Sequence, residues 1–152
     1  MQGLRHPREH RRRFFCRLTR VKLPARYDRR MLMNTEAIAT RLVKLCREGK
    51  FEEAQGELYA ADAVSIEPEG LPAGALGNVK GMQAIYEKKR QFNAGVHGSS
   101  MSDPLIAGNW FTAVLTLDAT IKGRGRVNMN EICVYRVRDG KIAHEQFFYD
   151  TG

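Results

Sequence analysis

The sequence has little cysteine and no long apolar run, and most of it lacks an excess of either charge. Its three cysteines, Cys16, Cys46 and Cys133, are odd in number and far apart. They support neither a disulfide framework nor a cysteine-based zinc site. We read them as reduced thiols of a cytoplasmic protein. No stretch approaches the roughly 18 apolar residues of a membrane-spanning helix, so no membrane partner is expected of the chain. The glycine-rich stretch from Gly70 to Gly81 lacks the residue order of a phosphate-binding loop. His97 and His144 do not stand at a ligand spacing, and no metal or other cofactor is expected.

What is present divides sharply by charge. Residues 1–30 hold eleven Lys and Arg against Glu9 and Asp28, whereas the rest of the chain holds fourteen basic and fifteen acidic residues. The net charge of +8 therefore resides in the first segment. Residues 33–152 carry no excess that would draw them to nucleic acid. For residues 1–32, three readings stand side by side. The segment is a solvated basic arm for nucleic acid or anionic membrane; or an Arg-rich targeting peptide, although it lacks the serines and the apolar stretch of one; or translation begins at Met31 or Met33 and the segment is an extension of the gene prediction.

From Asn34 onward the pattern is that of one domain. Asn34 or Thr35 can cap a helix carrying Ile38, Leu42, Leu45 and Cys46 at helical spacing, which stops near Gly49. A second helix places Phe51, Ala54, Leu58 and Tyr59 on one stripe and ends near Asp62. A short strand from Ala63 to Glu67 runs into a Pro- and Gly-rich loop. A third helix spans Met82 to about Asn93, with Ile85, Tyr86 and Lys89 on one side, and strand character begins at Val96. Over 109–121, Phe111, Ala113, Leu115, Leu117, Ala119 and Ile121 alternate with mostly polar residues. Over 126–137, Val127, Met129, Glu131, Cys133, Tyr135 and Val137 share one face. Asp139-Gly140 is a strong hairpin signal before a last strand from Lys141 to about Asp150. Helices first and a meander of long strands after predict an α+β domain, with the helices packed on one face of the sheet.

Several segments carry a family likeness. The run from Phe51-Glu52-Glu53-Ala54 through Leu58-Tyr59-Ala60-Ala61-Asp62-Ala63-Val64-Ser65-Ile66-Glu67 resembles the second helix and first strand of the nuclear transport factor 2-like superfamily. Val79-Lys80-Gly81-Met82-Gln83-Ala84-Ile85 is similar to its loop into the third helix. Val134 to Ile142, followed by Phe147-Phe148-Tyr149-Asp150, resembles its terminal hairpin. The nearest branch is the SnoaL-like, or polyketide-cyclase-like, one. The resemblance covers residues 34–152 and implies a cone-shaped barrel, a curved antiparallel sheet wrapped around the N-terminal helices and enclosing a pocket. It also implies a homodimer through the outer face of the sheet. Because the superfamily includes isomerases, cyclases, hydratases, epoxide hydrolases and non-catalytic binding modules, the fold does not give the function.

Glu131 is the leading candidate for chemistry, because it is the one carboxylate on an otherwise apolar strand face. In a low-dielectric pocket its pKa rises towards neutrality, which suits proton transfer. The bland alternative is a structural carboxylate paired with an arginine or an amide. The last strand has two faces, Ala143-Glu145-Phe147-Tyr149 and Ile142-His144-Gln146-Phe148-Asp150. A three-residue loop Arg138-Asp139-Gly140 sets Glu145, Phe147 and Tyr149 beside Glu131 and Cys133. A two-residue turn sets His144 and Gln146 there instead. The resemblance favours the first, which brings Glu131 and Glu145 together as an acid–base pair. His97 is a candidate proton shuttle or a polar edge residue. Tyr149, Phe147, Cys133 and Tyr59 are candidate ligand-binding residues. Glu67 and Glu69 straddle Pro68 at the mouth of the first strand and read either as rim residues or, the preferred reading, as solvated loop charges.

Two kinds of catalytic relative do not fit. The ketosteroid-isomerase type needs an Asp near the position of Cys133 and a Tyr on the first helix, and the epoxide-hydrolase type needs an Asp–Arg–Asp set. The expectation is a protein that binds a small apolar molecule without a cofactor. It is either an isomerase, cyclase or hydratase using a pocket carboxylate, or a non-catalytic ligand-binding or dimerisation module.

Overall fold

The computed structural model describes residues 29–71 and 77–150. The readings offered for residues 1–28 lie outside the described residues. Helix α1 spans Arg29–Arg47, α2 spans Phe51–Leu58 and α3 spans Met82–Phe92. The strands are β1 Tyr59–Ile66, β2 Val79–Lys80, β3 Asn93–Met101, β4 Leu105–Ala107, β5 Trp110–Ile121, β6 Gly125–Arg138 and β7 Lys141–Phe148.

Helix α1 begins before the expected cap. Asn34 and Thr35 lie inside it, so neither is its N-cap. Its buried stripe is Ile38, Ala39, Leu42, Val43, Leu45 and Cys46. It ends as glycine dictates: Gly49 adopts φ +71°. Its N–H bonds Cys46 O at 3.0 Å, and Lys50 N–H bonds Leu45 O at 2.9 Å. That pair of bonds satisfies the last carbonyls and frees the chain to turn into α2. Helix α2 is shorter than its apolar stripe suggested. Tyr59 leaves it in extended geometry, φ −92° and ψ 148°, and starts β1 at once.

The sheet runs β2-β1-β7-β6-β5-β3, with β4 pairing on β5. Pairing is antiparallel except between β1 and β7, the first long strand and the last, which run parallel. Strands β5 and β6 pair along their whole common length, from Trp110↔Arg136 to Ile121↔Gly125. Their inner faces follow the alternation read from the sequence: Phe111, Ala113, Leu115, Glu131, Cys133, Tyr135 and Val137 are buried. Register shifts in β1, β3 and β7 bend the sheet around α1 and α3.

The β6–β7 turn corrects the expected loop. Arg138 pairs with Lys141, leaving a two-residue turn in which Asp139 (φ 51°) and Gly140 (φ 74°) are both left-handed. Such a turn matches the strand twist. By itself it would turn Glu145 outward. The register then shifts: Val137 pairs with Ile142 but Arg136 pairs with His144, so Ala143 is an extra residue. Ile142 and Ala143 are both buried as neighbours. The bulge reverses the phase, and Tyr135↔Glu145 and Cys133↔Phe147 become cross-strand pairs.

Candidate functional site

A cavity of about 150 Å³ lies between the helices and the inner face of the sheet. Leu42 of α1, Phe51 and Ala54 of α2, Leu115 of β5 and Phe147 of β7 supply apolar wall. Into this wall the fold inserts a set of ionisable and polar side chains.

Glu131 stands on β6 opposite Leu115 and is 8% exposed. Its carboxylate accepts no hydrogen bond among the described residues. Burial, with the negative charge of Glu67 and a smaller push from Glu145, raises its pKa to about 7 against the opposing pull of Lys89 and Lys88. A carboxyl group so placed is half ionised near neutrality.

Glu67, at the end of β1, is held in a fixed geometry. Lys88 Nζ of α3 donates to its Oε1 at 2.6 Å, and Tyr149 OH donates to its Oε2 at 2.9 Å. Lys88 also donates to Ser65 Oγ at 2.6 Å and lies 5.6 Å from the centre of the Phe147 ring. The pair is nearly dry, with side-chain exposures of 8% for Lys88 and 13% for Glu67. Burial, then the charge of Glu67, pushes the Tyr149 phenol upward, so it acts as a donor.

Across the cavity, Tyr59 OH donates to Glu145 Oε2 in a buried bond. Burial, and then the Glu145 charge, raises the Tyr59 phenol well above its usual value. Glu145 Oε1 and both side-chain amide atoms of Gln55, which also lines the cavity, have no partner among the described residues.

Of the residues singled out from sequence, Glu131, Glu145, Tyr59, Phe147 and Tyr149 line this cavity. Two do not. His97 is exposed on β3 and shares a 2.7 Å hydrogen bond with Thr120 across to β5. Bulged pairing along β3 carries it out to the rim of the sheet. Cys133 is fully buried in the core between the sheet and α1, and burial lifts its thiol far above the range of a reactive cysteine. Cys46 reaches the cavity, with burial raising its pKa to about 11. Neither is an activated thiol.

Among the lining residues that the sequence did not single out for the site are Gln55, Glu67, Lys88, Lys89 and Tyr135. A signal existed for all but Glu67: Tyr135 shares the face of Glu131 on β6, and Lys89 stands four residues after Ile85. Gln55 falls three and four residues before Leu58 and Tyr59, on their stripe, and Lys88 falls three after Ile85. Glu67 followed by Pro68 gave no such sign, and its partners come from elsewhere in the chain. Among the described residues, no group of three His, Cys, Asp or Glu side chains is placed to hold a metal ion.

Comparison with known proteins agrees with this architecture. No curated protein matches the chain. A candidate SnoaL-like polyketide cyclase from Mesorhizobium loti is 32% identical, with a TM-score of 0.67 over 74% of this chain and 97% of the other. A nuclear transport factor 2-like protein of unknown function from Burkholderia pseudomallei shares the fold at 15% identity, TM-score 0.63, over 78% and 92% of the two chains. TerC, crystallised with polyporic acid, does so at 18% identity, TM-score 0.61, over 78% and 92%. Residues 33–149 match the family described as SnoaL-like domain, and the chain belongs to that family.

Proposed function

We propose that this protein binds a small, largely apolar molecule in the cavity and moves a proton on it, with Glu131 as the general acid–base. The observation that carries the reading is a buried carboxylate, unpaired among the described residues, facing a mostly apolar cavity. With a pKa of about 7 both its ionised and its protonated forms are populated near neutrality, so it can serve first as the base and then as the acid. Lys88 lines the same cavity, and its third N–H, beyond those given to Glu67 and Ser65, offsets negative charge that develops on the substrate. The reaction class is cofactor-free isomerisation, cyclisation or hydration. The likeness to a candidate polyketide cyclase supports the substrate type.

The test is deuterium exchange. Wild-type protein in D₂O should accelerate exchange of the α-protons of a one-ring ketone, with a midpoint near pH 7, and Glu131→Gln should abolish the acceleration. Binding without acceleration at any pH from 5 to 9 would favour a non-catalytic binding module. One observation already leans that way: Gln55 and Glu145 offer recognition that needs no chemistry.

We also propose a homodimer through the outer face of the sheet. Val114, Ile132 and Phe148 are register neighbours across β5, β6 and β7 and form one exposed apolar row, Ile132 being 52% exposed. Trp110 extends the exposed face two rows away.

A further inference from the structure

The most buried polar wall of the cavity holds three atoms that no described group satisfies. Gln55 is 2% exposed and Glu145 is 1% exposed. Gln55 Nε2, Gln55 Oε1 and Glu145 Oε1 have no hydrogen-bond partner among the described residues, and both side chains line the cavity. Tyr59 bonds to both residues, to the backbone of one and the side chain of the other. Its backbone N–H bonds Gln55 O one turn back, and its hydroxyl occupies Glu145 Oε2. Glu145 is therefore anchored through one oxygen and unpaired at the other among the described residues. A buried donor or acceptor left unmet costs more than a made bond returns. Such groups in a native fold call for a partner that is a bound water, an ion or a ligand.

We infer that Gln55 and Glu145 form the recognition subsite for an uncharged polar head, a hydroxyl or carboxamide, on a ligand about one ring in size. The inference rests on the small-molecule reading above and narrows it. The head must donate to Glu145 Oε1 and accept from Gln55 Nε2. A hydroxyl does both through one oxygen. A carboxamide does both through its N–H and C=O, and its second N–H reaches Gln55 Oε1. A carboxylate head cannot donate, and it brings like charge against Glu145. An apolar head leaves all three atoms unmet. Size adds a second restriction, since a cavity of about 150 Å³ holds one benzene-sized ring. Phe147, Leu115 and Glu131 are among the other residues that line the same cavity.

The test is calorimetric titration of the full chain with phenol, benzamide, benzene and benzoate, using wild type, Gln55→Leu and Glu145→Gln. Wild type should bind phenol and benzamide roughly tenfold more tightly than benzene, as one or two buried hydrogen bonds imply. Benzoate should bind most weakly. Gln55→Leu should close the gap between phenol and benzene by losing phenol affinity while keeping benzene. Glu145→Gln, which still accepts from Tyr59, should recover benzoate binding. Equal affinity of wild type for phenol and benzene overturns the inference. So does a gap that survives both substitutions. So does a crystal structure with phenol in which waters satisfy the three atoms and the hydroxyl points elsewhere. If no one-ring probe binds, the subsite inference falls, whereas the Glu131 reading is judged separately by titration of that carboxyl group in the ligand-free chain.

Discussion

Tyr59 and Glu145, 86 residues apart in sequence, share a buried hydrogen bond beside the parallel pairing of β1 with β7. The bond needs the first long strand to lie next to the last, and it needs the Ala143 bulge to turn Glu145 inward. Tyr59→Phe removes the one donor to a carboxylate that has no other among the described residues. We expect a loss of about 1.5–3 kcal/mol in urea unfolding, the range for a bond to a charged group. In a Glu145→Leu background, where no acceptor remains, the same substitution should cost clearly less, since the two residues act through one contact. Equal costs in both backgrounds would show that Tyr59 contributes only packing.

Glu131 gives a stability prediction with a definite sign. Its carboxyl group has a folded-state pKa raised from 4.5 to about 7. The fold therefore disfavours the ionised form. Below about pH 4.5 the group is protonated whether folded or unfolded, and it costs nothing. As pH rises from there through 7 the cost grows to its full size, on the order of 3 kcal/mol. Glu131→Gln should thus raise the melting temperature at pH 8, with a gain that shrinks steadily to near zero at pH 4. A variant less stable than wild type at pH 8 would mean that the carboxylate is a structural partner.

Lys88 and Glu67 form the one ion pair whose two side chains are both nearly dry among the described residues. Removing one partner leaves the other charge buried. Lys88→Met should destabilise the fold by about 3–5 kcal/mol. Adding Glu67→Gln should return most of that loss, because the carboxylate that lost its partner is gone. Denaturant titration of the two variants measures the difference, and a double variant no better than the single one would refute the pairing argument.

The apolar row on the outer face predicts assembly. In sedimentation equilibrium the wild type should behave as a dimer, and Ile132→Lys, placing charge in the middle of the row, should give a folded monomer with the cavity intact. A wild type that remains monomeric at high concentration would remove the dimer from the proposal.

Much of the sheet was legible from sequence, because a strand with one buried face writes its alternation into the chain. Phe111 to Ile121 and Val127 to Val137 display that pattern, and the side of Glu131 followed from it. The boundary between α2 and β1 was not legible. Leu58 and Tyr59 fit a helical stripe and a strand start equally well, and pairing of Tyr59 with Ile142 decided it. The last strand shows the limit most clearly. Asp139-Gly140 announced a turn, but the face of Glu145 depended on one extra residue in β7. Since a strand repeats every two residues, turn length and bulge each reverse the phase. Here a two-residue turn and a bulge at Ala143 together give the facing expected of a three-residue loop.

The sequence alone determined the helices-then-sheet order, the buried face of the long hairpin, the family resemblance and the placement of a carboxylate on an apolar face, all of which arise from local spacing. Only the tertiary structure decided which groups meet inside. Glu67 gains Lys88 from 21 residues away and Tyr149 from 82, and Glu145 gains Tyr59 from 86. The same closure left the side-chain amide of Gln55 without a partner among the described residues and took His97 to the rim. Such meetings are set by strand order and register, which depend on the packing of the whole chain rather than on any window of it.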